Sequence, residues 1–257
     1  MILHDMICTV IKISQEASKK ILEVYSTDFS FTSKEDKSPL TLADMASNEV
    51  IVSCLREHYP DIPILSEEDQ KDVPEDAEYC WLVDPLDGTK EFINRNGEFT
   101  VNIALVQNQR PVLGLIAIPV TGVVFYASSC NGAFKLENGT SNAIHVSNKT
   151  TDLTWVGSKS HSTEKEANLI RDKGHLIKSM IQAGSSLKGT MIAEGKADVY
   201  YRFGPTCEWD TCAMHCILEE AGGIFRQMDG SEMLYNRRNH LNEKGFFAVN
   251  RAENVWI

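Results

Sequence analysis

The run Trp81-Leu82-Val83-Asp84-Pro85-Leu86-Asp87-Gly88-Thr89 constrains the architecture more than any other stretch of the chain. Its apolar half reads as a buried strand. Pro85 has no N–H to give a ladder, so the strand is expected to stop at Asp84 and the chain to turn there. Asp87 follows three residues later, and Gly88-Thr89 lead into Lys90-Glu91-Phe92-Ile93, which reads as a helical turn with free N–H groups facing the same space. Carboxylates at such a place can hold cations, and cations can hold a phosphate. Asp-Gly is equally an ordinary turn signal, and Asp before Pro can simply close a loop. Other segments have to decide between these readings.

A chain of 257 residues with 42% hydrophobic content can bury a substantial core, as one large domain or two tightly packed halves. The formal net charge of -11 argues against a nonspecific grip on nucleic acid, which demands a basic surface. A phosphorylated small molecule would be repelled at long range too, so metal ions or a few placed Lys and Arg residues would have to attract it. At the N-terminus Met6, Val10, Ile13, Ala17, Ile21 and Leu22 recur at helical intervals, interrupted by Asp5, Lys12, Glu16, Lys19 and Lys20. That pattern predicts an amphipathic helix and no signal peptide. No apolar stretch reaches membrane-spanning length, which points to the cytoplasm. The seven cysteines are odd in number and scattered, as reduced thiols are. Cys207, Cys212, His215 and Cys216 cluster, but the spacing of Cys212 and Cys216 suits packing along a helix better than a zinc site.

Residues 29–34 alternate like a strand, and a second helix is expected from Ser38-Pro39-Leu40-Thr41 to about Tyr59, with Thr41 and Asp44 resembling a capping box. Short strands follow at 64–66 and 79–84. Runs at 101–106, 112–118, 123–127 and 133–136, separated by turn signals, predict an antiparallel meander. Beyond residue 150, strands at 153–157, 197–201, 223–227 and 246–249 alternate with helices at 163–172, 186–194 and 208–221, as in an α/β unit. The Asn-, Thr- and Ser-rich stretch 135–151 reads as a boundary, giving an α+β half over 1–148 and an α/β half over 149–257.

Asp36, Glu67, the pair Asp84 and Asp87, and Asp210 all fall at expected element ends, where sites form. Hard oxygen donors of this kind suit Mg²⁺. Taken singly, Glu67 or Asp210 reads equally well as a solvated surface group or a helix cap.

The ordered set Ile64-Leu65-Ser66-Glu67-Glu68, Trp81 to Thr89, and Glu208-Trp209-Asp210-Thr211 resembles the inositol monophosphatase superfamily of Mg²⁺-dependent, lithium-sensitive phosphatases. The likeness runs from the first helix to the end of the chain. Lys34-Glu35-Asp36-Lys37-Ser38-Pro39-Leu40-Thr41, the run from Lys90 to Leu105, Gly184-Ser185-Ser186-Leu187-Lys188 and Tyr201-Arg202-Phe203-Gly204-Pro205-Thr206 are similar to bacterial 3'(2'),5'-bisphosphate nucleotidases. An inositol phosphatase would usually carry Asn-Phe-Val-His after its Asp-Gly-Thr.

The resemblance implies a layered αβαβα sandwich of the inositol monophosphatase and fructose-1,6-bisphosphatase type. It also implies two or three Mg²⁺ ions per site, with Glu67, Asp84 and the Leu86 carbonyl on one ion and Asp84, Asp87 and Asp210 on a second. Gly88 and Thr89 would meet the phosphate. Asp36 and the Thr89 hydroxyl would orient the attacking water for an in-line, two-metal displacement. His161, Ser185, Ser186, Lys188 and Arg202 would surround the nucleotide, the two cations meeting its 5'-phosphate. Each has a plainer alternative: solvated charges for Lys188 and Arg202, a cap or packed ring for His161, helix starters for the serines. Lys159 stands where these nucleotidases often have Arg, and a lysine cannot make the bidentate phosphate contact. The implied activity is hydrolysis of adenosine 3',5'-bisphosphate to AMP, with the 3'-phosphorylated sulfate donor as a second substrate and a place in sulfur assimilation. The family also implies a cytoplasmic protein with a peripheral place at the inner membrane. An inositol or sugar monophosphatase, or a noncatalytic metal- or nucleotide-binding module, are the alternatives; the oligomeric state is left open.

Overall fold

Cys80, Trp81, Leu82 and Val83 are all buried, but alternate residues join different cores. Trp81 and Val83 pack with Val10, Ile13, Ala17 and Ile21, whereas Cys80 and Leu82 pack with Cys212, Ala213, Cys216 and Ile217. Their strand therefore lies between two helical layers.

The computed structural model describes residues 3–27, 39–69, 73–75, 77–159 and 163–257. Helices α1 (Leu3–Tyr25) and α2 (Pro39–His58) form one outer layer. Against them lies a sheet of β1 (Ile64–Ser66), β2 (Tyr79–Asp87), β3 (Thr100–Gln107), β4 (Arg110–Ile118), β5 (Val123–Ser128), β6 (Ala133–Glu137) and β7 (Thr140–Ile144), in that spatial order. β1 pairs parallel with β2, and from β2 to β7 the pairs are antiparallel, so the meander is present. A short helix α3 (Thr89–Ile93) follows β2. The second sheet runs β11-β12-β10-β8-β9, built from β8 (Leu153–Ser158), β9 (Ile177–Ala183), β10 (Val199–Arg202), β11 (Ile224–Gln227) and β12 (Phe246–Val249).

Helices α5 (Leu187–Ala193) and α6 (Glu208–Glu220) lie between the sheets in a shared core. Gly114 of β4 admits α6, because a Cβ there would stand 2.4 Å from the Ala213 carbonyl oxygen. The outer face of the second sheet carries Trp155, Tyr201 and Phe247, packed with Trp256 and with Leu169 and Ile170 of α4 (Glu164–Lys173). The layers are thus αβαβα, as expected. The first sheet ends at Ile144 and the second begins at Leu153. Among the described residues, no helix is long and apolar enough to cross a membrane.

The strand does not stop at Asp84. It runs on to Asp87 with a register shift between the two acids, and Pro85 sits inside this bulge. The pairing with β1 ends at Val83, so a missing N–H at Pro85 breaks no ladder bond on that side. The bulge has a structural effect: Leu86 packs with Trp81 and Val83 although the alternation of a regular strand would send it to the other face. Asp84 and Asp87, an odd number of residues apart, are thereby brought to the same side of the sheet, the one facing α6.

Other expectations need correction. α2 starts at Pro39, so Thr41 lies inside the helix and is no N-cap. Proline suits a first helical position because the N–H it lacks would be unpaired anyway. The boundary stretch contains β7, and the second sheet contains β9, neither of which the pattern signals. Both are exposed along most of their length and so lack apolar alternation. The expected strand at 29–34 lies outside the described residues.

Candidate active site

The acidic side chains reach one place from four elements. Glu67 follows β1, and its N–H donates to the Val83 carbonyl at 3.1 Å, which sets it beside Asp84. Asp84 is 1% exposed, and its Oδ1 accepts from the Leu86 N–H at 3.1 Å. The Leu86 side chain points into the core, so only its backbone belongs to the site. Asp210 lies in the first turn of α6, where its Oδ2 accepts from the Cys207 N–H at 2.8 Å. That bond ties one oxygen to the helix end and leaves the other for the cleft.

Charge accounts for the state of this cluster. Burial, then the neighbouring Asp87, Glu67 and Asp210, pushes the Asp84 carboxyl well above the usual carboxylate range. Asp210 is raised to about 8 by burial and then by Asp87, and Glu67 is raised chiefly by burial. Asp44 joins them. It lies one helical turn before Ser47, whose hydroxyl donates to the Pro85 carbonyl at 2.8 Å, so α2 docks on the bulge. Burial and then Glu68 and Glu67 raise Asp44 to about 8, and its Oδ1 is buried without a hydrogen-bond partner. The sequence offers Asp44 only as half of a helix cap, and no local signal marks it as a neighbour of the acids. Crowded, buried hard-oxygen donors with an orphaned oxygen fit a divalent cation. Among the described residues, no three His, Cys, Asp or Glu side chains already converge on one ligating point. The carboxylates are neighbours and not a closed cage.

Asp87 differs from the others in its partners. Ser185 Oγ and Ser186 Oγ donate to its Oδ2 at 2.6 and 2.9 Å, so both serines expected at the nucleotide are turned toward a carboxylate. Ser186 Oγ also lies 3.1 Å from the Asp210 carbonyl oxygen.

A cleft of about 320 Å³ opens beside Asp87 and Asp210, lined also by Gly88, Thr89, Lys188 and Arg202. Gly88 holds a φ of 99°, and a Cβ there would sit 3.2 Å from the Glu98 carbonyl oxygen, so glycine is required before α3. Lys188 is no surface charge: it is 7% exposed, donates to the Ser185 carbonyl at 2.5 Å and stands 5.5 Å over the Tyr200 ring. Burial lowers it to about 8, against the opposing pull of Asp87. Arg202, at the end of β10, is close enough to Asp210 to oppose the rise of that carboxyl. Tyr200, Met214 and Phe246 supply an apolar wall.

Lys159 pairs with Glu98 Oε1 at 2.5 Å, while Glu98 Oε2 accepts from the Gly184 N–H at 2.8 Å. It therefore serves the loop before Ser185. Asp36 and His161 lie outside the described residues. Cys212 and Cys216 are buried in the core of α6, with thiols pushed up by burial, as the packing reading expects.

Residues 2–256 match the inositol monophosphatase family. The 3'(2'),5'-bisphosphate nucleotidase CysQ of Salmonella typhimurium is 41% identical over 245 residues, covering 94% of this chain and 98% of that one. The crystal structure of CysQ from Bacteroides thetaiotaomicron, a bacterial member of the inositol monophosphatase family, superposes with a TM-score of 0.85 at 40% identity, covering 95% of this chain and 97% of that one. An inositol monophosphatase from Zymomonas mobilis superposes with a TM-score of 0.83 at 24% identity over 99% of this chain and 96% of that one, a likeness of fold alone.

Proposed function

The chain belongs to the inositol monophosphatase family, and within it we propose that it is a Mg²⁺-dependent 3'(2'),5'-bisphosphate nucleotidase that hydrolyses adenosine 3',5'-bisphosphate to AMP and phosphate. The observation that carries this reading is the division of the cleft: Asp87 and Asp210 belong to the acidic side, while Lys188 and Arg202 supply positive charge in the same space. A substrate with two phosphates needs both, because the phosphate held by cations at the acids leaves the other to be met by side chains. The apolar wall of Tyr200, Met214 and Phe246 suits the nucleoside between them. The 41% likeness to a protein named for this activity points the same way.

Glu67, Asp84, Asp87, Asp210 and the Leu86 carbonyl would hold the ions, two or three per site, with Asp84 shared between them. Bound there, divalent cations supply Lewis-acid polarisation of the phosphate and a lowered pKa for water. Thr89 and the backbone of Gly88 orient the phosphate for in-line attack. Asp36, paired with the Thr89 hydroxyl, would take the proton of the attacking water. Lys188 and Arg202 hold the second phosphate. The 3'-phosphorylated sulfate donor has the same 3'-phosphate and is the second substrate of this reading, with a place in sulfur assimilation.

The test is phosphate release by the full chain with Mg²⁺. Adenosine 3',5'-bisphosphate should give the highest kcat/KM, lithium should lower the rate, and inositol monophosphate or fructose 1,6-bisphosphate should be turned over poorly. A larger kcat/KM for either of those two esters would make the chain a sugar or inositol phosphatase instead.

A further inference from the structure

Behind Asp87, two buried side chains of β3 form a continuous polar set with the two serines that line the cleft. In the β2–β3 ladder Thr100 stands opposite Asp87 and Asn102 opposite Asp84, a consequence of the bulge, and they are 0% and 1% exposed. Asn102 Nδ2 lies 3.4 Å from Asp87 Oδ2 and 3.0 Å from Ser186 Oγ. Thr100 Oγ1 lies 2.9 Å from Asn102 Oδ1 and 2.6 Å from Ser185 Oγ. Ser185 and Ser186 then donate to Asp87 Oδ2 at 2.6 and 2.9 Å. Ser185 holds a φ of 50°, an uncommon conformation for a residue with a side chain, and in it its hydroxyl reaches both Asp87 and Thr100.

This geometry has two physical consequences. The hydrogen bonds from Asn102, Ser185 and Ser186 to the Asp87 carboxylate all fall on Oδ2, so Oδ1 is the oxygen left for a cation. With Ser185 donating to Asp87, Thr100 has one proton for two acceptors, Asn102 Oδ1 and Ser185 Oγ, and its hydroxyl is the point where the two arms meet. We propose that Thr100 and Asn102 are positioning residues that set the direction of Asp87 for cation binding and, through Ser185 and Ser186, lock the loop leading to Lys188 onto the same carboxylate. The inference rests on the metal-dependent reading given above.

Partners that fix the direction of a ligating carboxylate change metal affinity by about 10- to 100-fold. Titration calorimetry of the full chain with Mg²⁺ alone, at a temperature where the metal-free variant is fully folded, should show affinity about 10-fold weaker in Thr100→Val. Asn102→Ala should weaken it by a similar factor, and Thr100→Ser, which keeps the hydroxyl, should restore it. Should Asn102→Ala fail to fold, the valine and serine variants at 100 decide the matter alone. Wild-type Mg²⁺ affinity in Thr100→Val overturns the proposal. A wild-type chain that binds Mg²⁺ but hydrolyses no bisphosphate nucleotide sinks the functional reading only, since the same titration still decides this one; a chain that binds no Mg²⁺ overturns both.

Discussion

Asp84 sits at the point where burial and like charge meet most strongly: it is 1% exposed and feels Asp87, Glu67, Asp210 and Asp44. Replacing it with asparagine keeps the shape and removes one charge from the crowd. On the proposed reading, in which Asp84 is shared between the cations, Asp84→Asn should cut turnover at least about 100-fold, while the metal-free protein melts no lower than the wild type. Steady-state kinetics and a thermal melt in chelator check the two halves; retained activity would overturn the shared role proposed for Asp84. At this scale Glu67, Asp84, Asp87 and Asp210 were legible because each stands in a motif at an element end. Asp44, Thr100 and Asn102 were not, since a helix-cap partner and two polar residues of a strand acquire a role only through what the fold sets opposite them. Lys188 was legible as a cation near the motif acids, but its burial beneath the Ser185 carbonyl was not.

The element that joins site to scaffold is α6. Its first turn presents Asp210, its middle packs Cys212, Ala213 and Cys216 against the first sheet, and its last turn carries Glu219. An acid at a helix C-terminus opposes the helix dipole, and no basic residue stands in that turn. Guanidiniums from both sheets offset it, Arg226 Nη1 of β11 at 2.5 Å and Arg110 Nη2 of β4 at 3.3 Å, while His215 Nε2 lies 3.2 Å away on a ring whose pKa is lowered by burial, which favours the neutral form. Burial alone would raise the Glu219 carboxyl, but His215 and Arg226 outweigh it and bring it down to about 2. A folded-state value below the ordinary one means stability that is present above about 4.5 and lost as pH falls toward about 2. Glu219→Gln should thus cost about 1–3 kcal/mol at pH 7, and the gap to wild type should close over that acid window. Urea unfolding at a series of pH values reads it directly, and a gap that stays constant down to pH 2 would show that the charge is not responsible. Helices and meander strands were legible from apolar period. The bulge at Pro85 was not, because whether a proline ends a strand depends on whether a neighbouring strand needs its N–H.

Across the whole molecule the site belongs to neither sheet alone. Asp84 and Asp87 come from the first sheet, Lys188 follows β9 and Arg202 ends β10 of the second, and α6 lies between with Asp210. Cys80, Leu82, Ala104, Val106 and Ile116 share the core that α6 covers. A fragment of residues 1–148 would present that face to water, so it should fail to fold as a soluble monomer, and the full chain should unfold in one cooperative transition. A fragment with a native-like melt, or separate transitions by two spectroscopic probes, would mean independent halves. The sequence by itself determined the layered class, the meander and the four motif acids, since apolar period and short motifs are local properties written in consecutive residues. Only the tertiary structure decided that Asp84 and Asp87 share a face, that Asp44 joins them, and that Ser185 and Ser186 brace Asp87. Those facts depend on register, on one bulge, and on which strand lies opposite which. These are long-range pairings, and no short window of residues carries them.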